Sequence, residues 1–542
     1  MNNGLKLKIK WENISDGAHF IKDKKLILYK KDNELKICLN KCKHQGNQFI
    51  ESKSPHKVIC SAHGWELDLE QMKYVNPRGI DLYQELLKST ILEDTIEVFY
   101  NEGESGTFAN IQKCTLEKKE FTITHYSHAT AEIKCGDFKI ITDPWCEGPA
   151  FTTGWWLTQT PPHNWLQKIA KANLIFISHS HSDHLNIYTL KKIKKLNRGI
   201  KIIIPFFKNY SCDNLLSRIG FTNVNRVPFT TWQSIDKHCR YMVLKDYAGK
   251  NDSGILIEYK GHRVLNMVDS HNLNNGELPI VDVLMASFAS GSSGYPVCWE
   301  NYSLHEKNKI ITQKRKYIRN KIIKALVITK PKVFVPFAGY FNELHPSDNE
   351  IFQINKKNTP EEIEQEIARN SPQIKVWSPI PNQYFDFSNY TLKNNTKTKK
   401  QNYEFENYDQ LYLNNPYYNY FNSLKSIQDY FDWAGYRDDR LTLHVIETDQ
   451  LFRENIREFY VNFKTGKVYQ RMTLNGGDHY LRMKVKSHIF RYVLAYGLGW
   501  EDISIGFQAR FFRNPDIYNR GFWAHFQENL PHKPIFKDLY KL

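Results

Sequence analysis

Two short motifs near the amino end constrain this chain more than anything else in its sequence: Cys42-Lys43-His44 and, fifteen residues later, Cys60-Ser61-Ala62-His63. Each sets a thiol and an imidazole within one turn of backbone, and each leaves a run with strand character, KICLN and HKVIC. Two such pairs can clamp an asymmetric [2Fe–2S] cluster from opposite sides. Cys42 and Cys60 would hold one iron as thiolates, and His44 and His63 the other as neutral imidazoles, which lifts the potential above that of an all-cysteine cluster. Two cysteines and two histidines also suit zinc, but zinc fingers usually group cysteine with cysteine and histidine with histidine. Gly46 and Gly64 would let the backbone approach a cluster, and Trp65 would shield one side.

The interleaved order resembles a Rieske centre. The runs LILYKK, ELKICLN, HKVICSAH and DTIEVFY are rich in β-branched and aromatic residues and are separated by polar turns, which predicts a small all-β domain over residues 1–103. NEGESG (101–106) reads as a linker.

A second domain is expected over residues 108–390. FTITHYSHATAEIKCGDFKIITDPW predicts a hairpin turning at Gly136-Asp137, and ANLIFIS predicts a buried strand. NIYTLKKIKKL and residues 305–329 have helical apolar spacing, and KIIIPF, GILIEY, RVLNMVD, VDVLMAS and KVFVPFAGYF are further strands. Strands mixed with helices indicate a layered α/β domain. NYTLKNNTKTKKQNYEFEN (389–407) is expected to be a linker, and 405–542 an α+β C-terminal region of open role.

Immediately after ANLIFIS comes Ser178-His179-Ser180-His181-Ser182-Asp183-His184. This H-x-H-x-D-H run resembles the signature of the metallo-β-lactamase fold, an αββα sandwich. In that superfamily the first two histidines serve one metal, and the aspartate and following histidine serve a second. The resemblance also marks Asp269 at a strand end as a bridging carboxylate and His345 as the last histidine. His128, in HYSHATAEI, and Asp143, in ITDPW, fall in the expected order. Candidate metal ligands are therefore His179, His181, Asp183, His184, Asp269 and His345, with Asp183 and His128 as candidate catalytic residues. The superfamily's middle histidine is missing: residues 245–254 read KDYAGKNDSG, and His238 and His262 lie outside that stretch. Its loss weakens a two-zinc hydrolase site and leaves a few imidazoles and carboxylates, a set suited to mononuclear non-haem iron with open positions, although zinc also fits.

Lys and Arg exceed Asp and Glu, 74 against 58, giving a formal charge of +16, which attracts anionic ligands. No basic helix with interleaved aromatics stands out, so nucleic acid is not an expected partner. No run long enough to span a membrane occurs, no signal peptide opens the chain, and the nine cysteines show no disulfide pattern, so a cytoplasmic location is expected.

Read as a whole, the chain resembles the CMP-N-acetylneuraminate hydroxylase family from about residue 15 to 530. KCKHQGNQFI, GPAFTTGWWL, ISHSHSDHL, VPFTTWQSIDK, PFAGYFNELHPSD, DWAGYRDDRL and SIGFQARFFRNPDIY carry the resemblance. It implies a monooxygenase that uses O₂ to hydroxylate the N-acetyl methyl of a CMP-linked sialic acid. Electrons would come from NADH through a reductase and a carrier, cytochrome b5 or a ferredoxin. Hydroxylating an unactivated methyl requires an open-coordinate metal in addition to the fully ligated cluster. The alternatives are a hydroxylase of another N-acylated or nucleotide-linked sugar and a lactonase-type hydrolase with a redox-linked cluster. Arg510 and Arg513, in GFQARFFRNPD, are expected as contacts to the substrate phosphate.

Overall fold

The computed structural model describes residues 10, 14–21, 26–42, 48–52, 54–61, 64–76, 82–92, 95–99, 108, 112–207, 211–248, 251–394 and 403–528. His44, Gly46 and His63 lie outside the described residues. The chain forms two compact units. One comprises Met1–Lys113, Leu244–Lys250 and Ser270–Ile280; the other comprises Cys114–Val243, Asn251–Asp269 and Val281–Leu542.

In the first unit the expected all-β domain is present. Strands Gly17–Ile21, Leu26–Lys31 and Glu34–Leu39 make one antiparallel sheet, and Phe49–Glu51, Lys57–Cys60, Glu66–Asp68 and Lys73–Asn76 make another. Side chains alternate along a strand, so Val58 and Cys60 of KVIC face inward together, where they join Cys42, Phe49, Leu67 and Tyr74 in one core.

The second unit opens with an αββα sandwich. An eight-stranded sheet runs in the order Val224–Val227, Lys201–Pro205, Leu174–Phe176, Phe138–Thr142, Thr130–Cys135, Phe121–Ser127, Gln383–Asp386, Thr391–Asn394. A seven-stranded sheet contains Cys239–Lys245, Ser253–Tyr259, His262–Asn266, Val283–Ser287 and Val333–Phe337. Period-two alternation divides the first sheet's residues between two cores. Ile140, Leu174 and Phe176 enter the layer between the sheets with Ile255, Val264 and Met285, whereas Ile141 and Ile175 face Leu190, Ile193 and Leu216 of the outer helices. Helix Leu304–Thr329 starts at a capping box of Ser303 and Glu306 and buries Ile322, Ala325 and Leu326.

The expected linker at 389–407 is partly structured. Thr391–Asn394 pairs with Gln383–Asp386 as an edge strand, and Phe405–Leu413 is helical. The strand forms because hairpin pairing satisfies its backbone groups despite a polar sequence. Beyond it, a five-stranded sheet with helices Leu424–Ala434, Ser487–Tyr496 and Arg520–Glu528 gives the α+β region. It packs closely on the sandwich: a Cβ at Gly154 would stand 2.2 Å from the Gly506 carbonyl oxygen. Among the described residues no helix is long and apolar enough to cross a membrane.

Candidate metal centres

In the first unit, both cysteines of the amino-terminal motifs are buried. The first loop is spanned by Asn40, whose Oδ1 accepts from Phe49 N at 2.7 Å. Gln84 Nε2 donates to the carbonyls of Leu39 (3.0 Å) and Lys41 (3.1 Å), fixing the loop's entry. The second loop closes on itself, with Cys60 N donating to Trp65 O and Gly64 N to Cys60 O. Gly64 sits at φ +66°, in left-handed space that glycine tolerates best. Trp65 meets Tyr74 edge-on at 5.9 Å and packs against the core that holds both cysteines. Gln84 was not evident from the sequence, since its amide acts across more than forty residues.

In the second unit the second constellation assembles at strand ends. The parallel register pairs Thr142 with Phe176, so Asp143 and Ser178 leave neighbouring strands side by side. Asp143 Oδ1 accepts from Ser178 N (2.7 Å) and Oδ2 from Ser178 Oγ (2.8 Å). His184 Nδ1 lies 3.0 Å from the same Oδ2, so this nitrogen keeps its proton and Nε2, facing Asp183, is the atom a metal would take in place of a proton. Ser178 Oγ, having donated to Asp143, accepts from His179 Nδ1 at 2.9 Å, which likewise leaves His179 Nε2 as a ligand atom. One buried carboxylate thus sets two imidazoles, the arrangement that metal-ligating histidines require.

The ligand atoms fall into two groups, His128 with Asp183 and His184, and His179 with His181 and Asp269; within each group they lie within 4.8 Å of one another. Asp183 Oδ2 is 3.2 Å from both His128 Nε2 and His184 Nε2, and Asp269 Oδ2 is 3.5 Å from His184 Nε2, so Asp269 reaches from one group to the other. His128 (φ +35°), Asp143 (φ +36°) and Val268 (φ +50°) all occupy left-handed backbone, strain of the kind that concentrates at functional sites.

Burial alone would neutralise Asp183, but the charges of His184 and His128 outweigh it and hold its carboxyl well below the usual range. Burial also disfavours a charged His184, yet Asp183, Asp269 and Asp143 raise its pKa well above normal. His181 follows the same balance: burial opposes its proton, while Glu501, 3.0 Å from Nε2, lifts it to about 9. Asp183 Oδ1 and Asp269 Oδ1 are nevertheless buried with no hydrogen-bond partner. Each such atom costs about 1–3 kcal/mol. A cation removes that cost, and a set of imidazoles and carboxylates suits a divalent transition metal.

His345 stands apart from both groups. Its Nδ1 meets Ser347 Oγ at 2.7 Å and its Nε2 meets Asp409 at 3.1 Å. Arg510 donates to the carbonyls of Phe507 and Ala509, and Arg513 pairs with Asp516 at 2.6 Å. Two residues near the ligands were missed from the sequence. Glu501 comes from the C-terminal region, more than three hundred positions away from His181. Asp252 lies 3.9 Å from His179 Nε2, in the stretch 245–254 that lacks a histidine. Beside His181 opens a narrow cleft of about 130 Å³, lined by Ser180, Tyr188, Arg218, Tyr412, Glu501 and Asp502 among others.

The Rieske [2Fe–2S] domain family matches residues 10–79, and the Beta-lactamase superfamily domain matches residues 122–292. A [2Fe–2S] domain joined to a β-lactamase-superfamily sandwich with a second His/carboxylate constellation defines a redox protein, an oxidoreductase of the monooxygenase class. The chain is 36% identical over 561 residues to the cytidine monophosphate-N-acetylneuraminic acid hydroxylase of Danio rerio, covering 96% of this chain and 92% of that protein. The Mus musculus protein of the same name is also 36% identical, covering 96% and 95%. That of Pongo pygmaeus is 35% identical over 564 residues, covering 96% and 93%. The chain belongs to the cytidine monophosphate-N-acetylneuraminic acid hydroxylase family.

Proposed function

We propose that this protein hydroxylates the N-acetyl methyl of CMP-N-acetylneuraminate to give the N-glycolyl form. One oxygen atom of O₂ enters the product and the other leaves as water, and NADH supplies the two electrons. A reductase and a carrier such as cytochrome b5 or a ferredoxin deliver them singly to the cluster held by Cys42, His44, Cys60 and His63. The observation that carries the reading is the coexistence, in one chain of this family, of cluster-clamping loops and a separate buried constellation with orphaned carboxylate oxygens. The ligands of that second centre are His128, His179, His181, Asp183, His184 and Asp269. Non-haem iron bound there would supply the oxygen chemistry.

The chain's own residues do the rest. Asp143 and Ser178 keep His179 and His184 in the tautomers that present Nε2. Glu501 steadies His181 from its outer nitrogen. The cleft beside His181 is too small for a whole sugar nucleotide, and its tyrosines and Arg218 would offer apolar faces and positive charge to the part of the substrate that reaches it. The nine cysteines show no disulfide pattern in the sequence, which suits a reducing, cytoplasmic setting.

The test is product formation by purified protein with reductase, carrier, NADH and O₂, read by mass spectrometry on CMP-N-acetylneuraminate and on other N-acetyl sugars. Replacing Cys42 should abolish both the cluster's absorption and turnover. Replacing His179 should spare the absorption and abolish turnover. Turnover retained by the His179 variant removes the second centre from the mechanism, and turnover of another sugar in preference redirects the substrate assignment. A hydrolase would instead release product without NADH.

A further inference from the structure

The group formed by His179 and His181 draws its one assigned carboxylate, Asp269, from between the two groups, where that side chain also faces His184. We propose that Asp252 is a metal ligand of this centre, completing with His179 and His181 a set of two imidazoles and one carboxylate. The inference rests on the second constellation being a metal centre, as the proposed function requires, and not on the identity of the sugar.

Three observations carry it. Asp252 is buried, its side chain 6% exposed, with Oδ1 3.9 Å from His179 Nε2. That separation is too long for a hydrogen bond. Donors about 2.1 Å from one ion and on one face of it stand roughly 3.0 Å apart, so a bound ion would draw Asp252 inward by about an ångström. Secondly, the position is built. Ser253, the next residue, is buried and its Oγ donates to the carbonyl of Ser178 at 2.8 Å, so the backbone carrying Asp252 is tied to the residue immediately before His179. Thirdly, Asp252 leads into strand Ser253–Tyr259, which pairs antiparallel with His262–Asn266, Ile255 opposite Asn266. Continued past its last pair, that register brings Asp252 to the sheet end from which Asp269 emerges. Asp252 and Asp269 thus stand at one sheet end, Asp252 facing His179 and Asp269 facing His184, and the negative charge of Asp252 is felt at His181.

The consequence is chemical. Two histidines and one carboxylate on one face of an ion are the donor set of non-haem ferrous sites that keep positions open, whereas three histidines suit zinc. The carboxylate at this position would therefore bias the centre toward iron, leaving Asp269 to face His184.

The test uses the full-length chain with its cluster intact, the cluster absorption reporting on folding. Ferrous iron and zinc are titrated anaerobically into Asp252→Ala, Asp252→Asn and Asp252→His, and bound metal beyond the cluster iron is counted. Ala and Asn should weaken ferrous binding at least tenfold. The His variant should retain metal while its preference for zinc over iron rises at least tenfold. Ferrous binding by the Ala and Asn variants equal to that of the unsubstituted protein overturns the proposal, as does a His variant with unchanged preference. If the unsubstituted protein binds ferrous iron, the variants lose it, and no sugar is hydroxylated, the ligand assignment stands and the hydroxylase reading falls.

Discussion

Asp143→Asn tests how much of the second centre depends on one buried side chain that touches no metal. The carboxylate accepts from three donors: Ser178 N, Ser178 Oγ and His184 Nδ1. Asparagine has the same shape but one oxygen. If that oxygen stays on Ser178 N, the amide nitrogen faces His184 Nδ1 donor to donor. His184 must then move its proton to Nε2, the atom aimed between Asp183 and Asp269, and can no longer offer a lone pair there. The Ser178 hydroxyl must also find another acceptor, which frees His179 to rotate. Losing an outer partner of this kind costs about 10–100-fold in metal affinity, roughly 1.4–2.7 kcal/mol. Two imidazoles depend on Asp143, which places the expected loss at the upper end, near 100-fold. The assay is anaerobic titration with ferrous iron or zinc, using cluster absorption to show that the chain is folded. An affinity within twofold of the unsubstituted protein would refute the tautomer argument.

Gln84→Ala removes the two hydrogen bonds that fix the entry of the first cluster loop, worth about 1 kcal/mol each; cluster loss on dilution into chelator should accelerate severalfold while second-site metal binding holds. Gly154→Ala sets a Cβ 2.2 Å from the Gly506 carbonyl, backbone against backbone; it should destabilise the second unit by about 1–3 kcal/mol in urea unfolding, and an unchanged midpoint would contradict that contact. His488 is buried beside Lys486, and the burial and that charge hold its pKa down, to about 4. An unfolded histidine titrates near 6.5, so the unfolded state takes up its proton first. The neutral ring's contribution is therefore fully present above about pH 6.5 and is lost as pH falls toward 4. His488→Gln should flatten the stability–pH curve in that window, and a curve of unchanged slope would show that the ring carries none of it.

What the sequence determined by itself was local chemistry. The two Cys/His pairs and the H-x-H-x-D-H run are each contiguous, so their ligand types and spacing are legible without the fold, although the run's residues divide between two groups. The apolar run ANLIFIS predicts a buried strand, but which of its residues face which core was decided by the fold. The tertiary structure alone decided which distant groups join them. Asp143 reaches Ser178 through a parallel strand register, Asp252 reaches His179 through a loop tied by Ser253, and Glu501 reaches His181 because the C-terminal region packs on the sandwich. Asp143 is marked only by resemblance, and Asp252 and Glu501 carry no local signal, since an aspartate before a strand or a glutamate opening a short helix is an ordinary surface residue until long-range packing buries it beside an imidazole. The same packing drew His345 to Asp409 and away from both ligand groups. Partners set by contacts across hundreds of positions are properties of the folded chain and not of any segment of it.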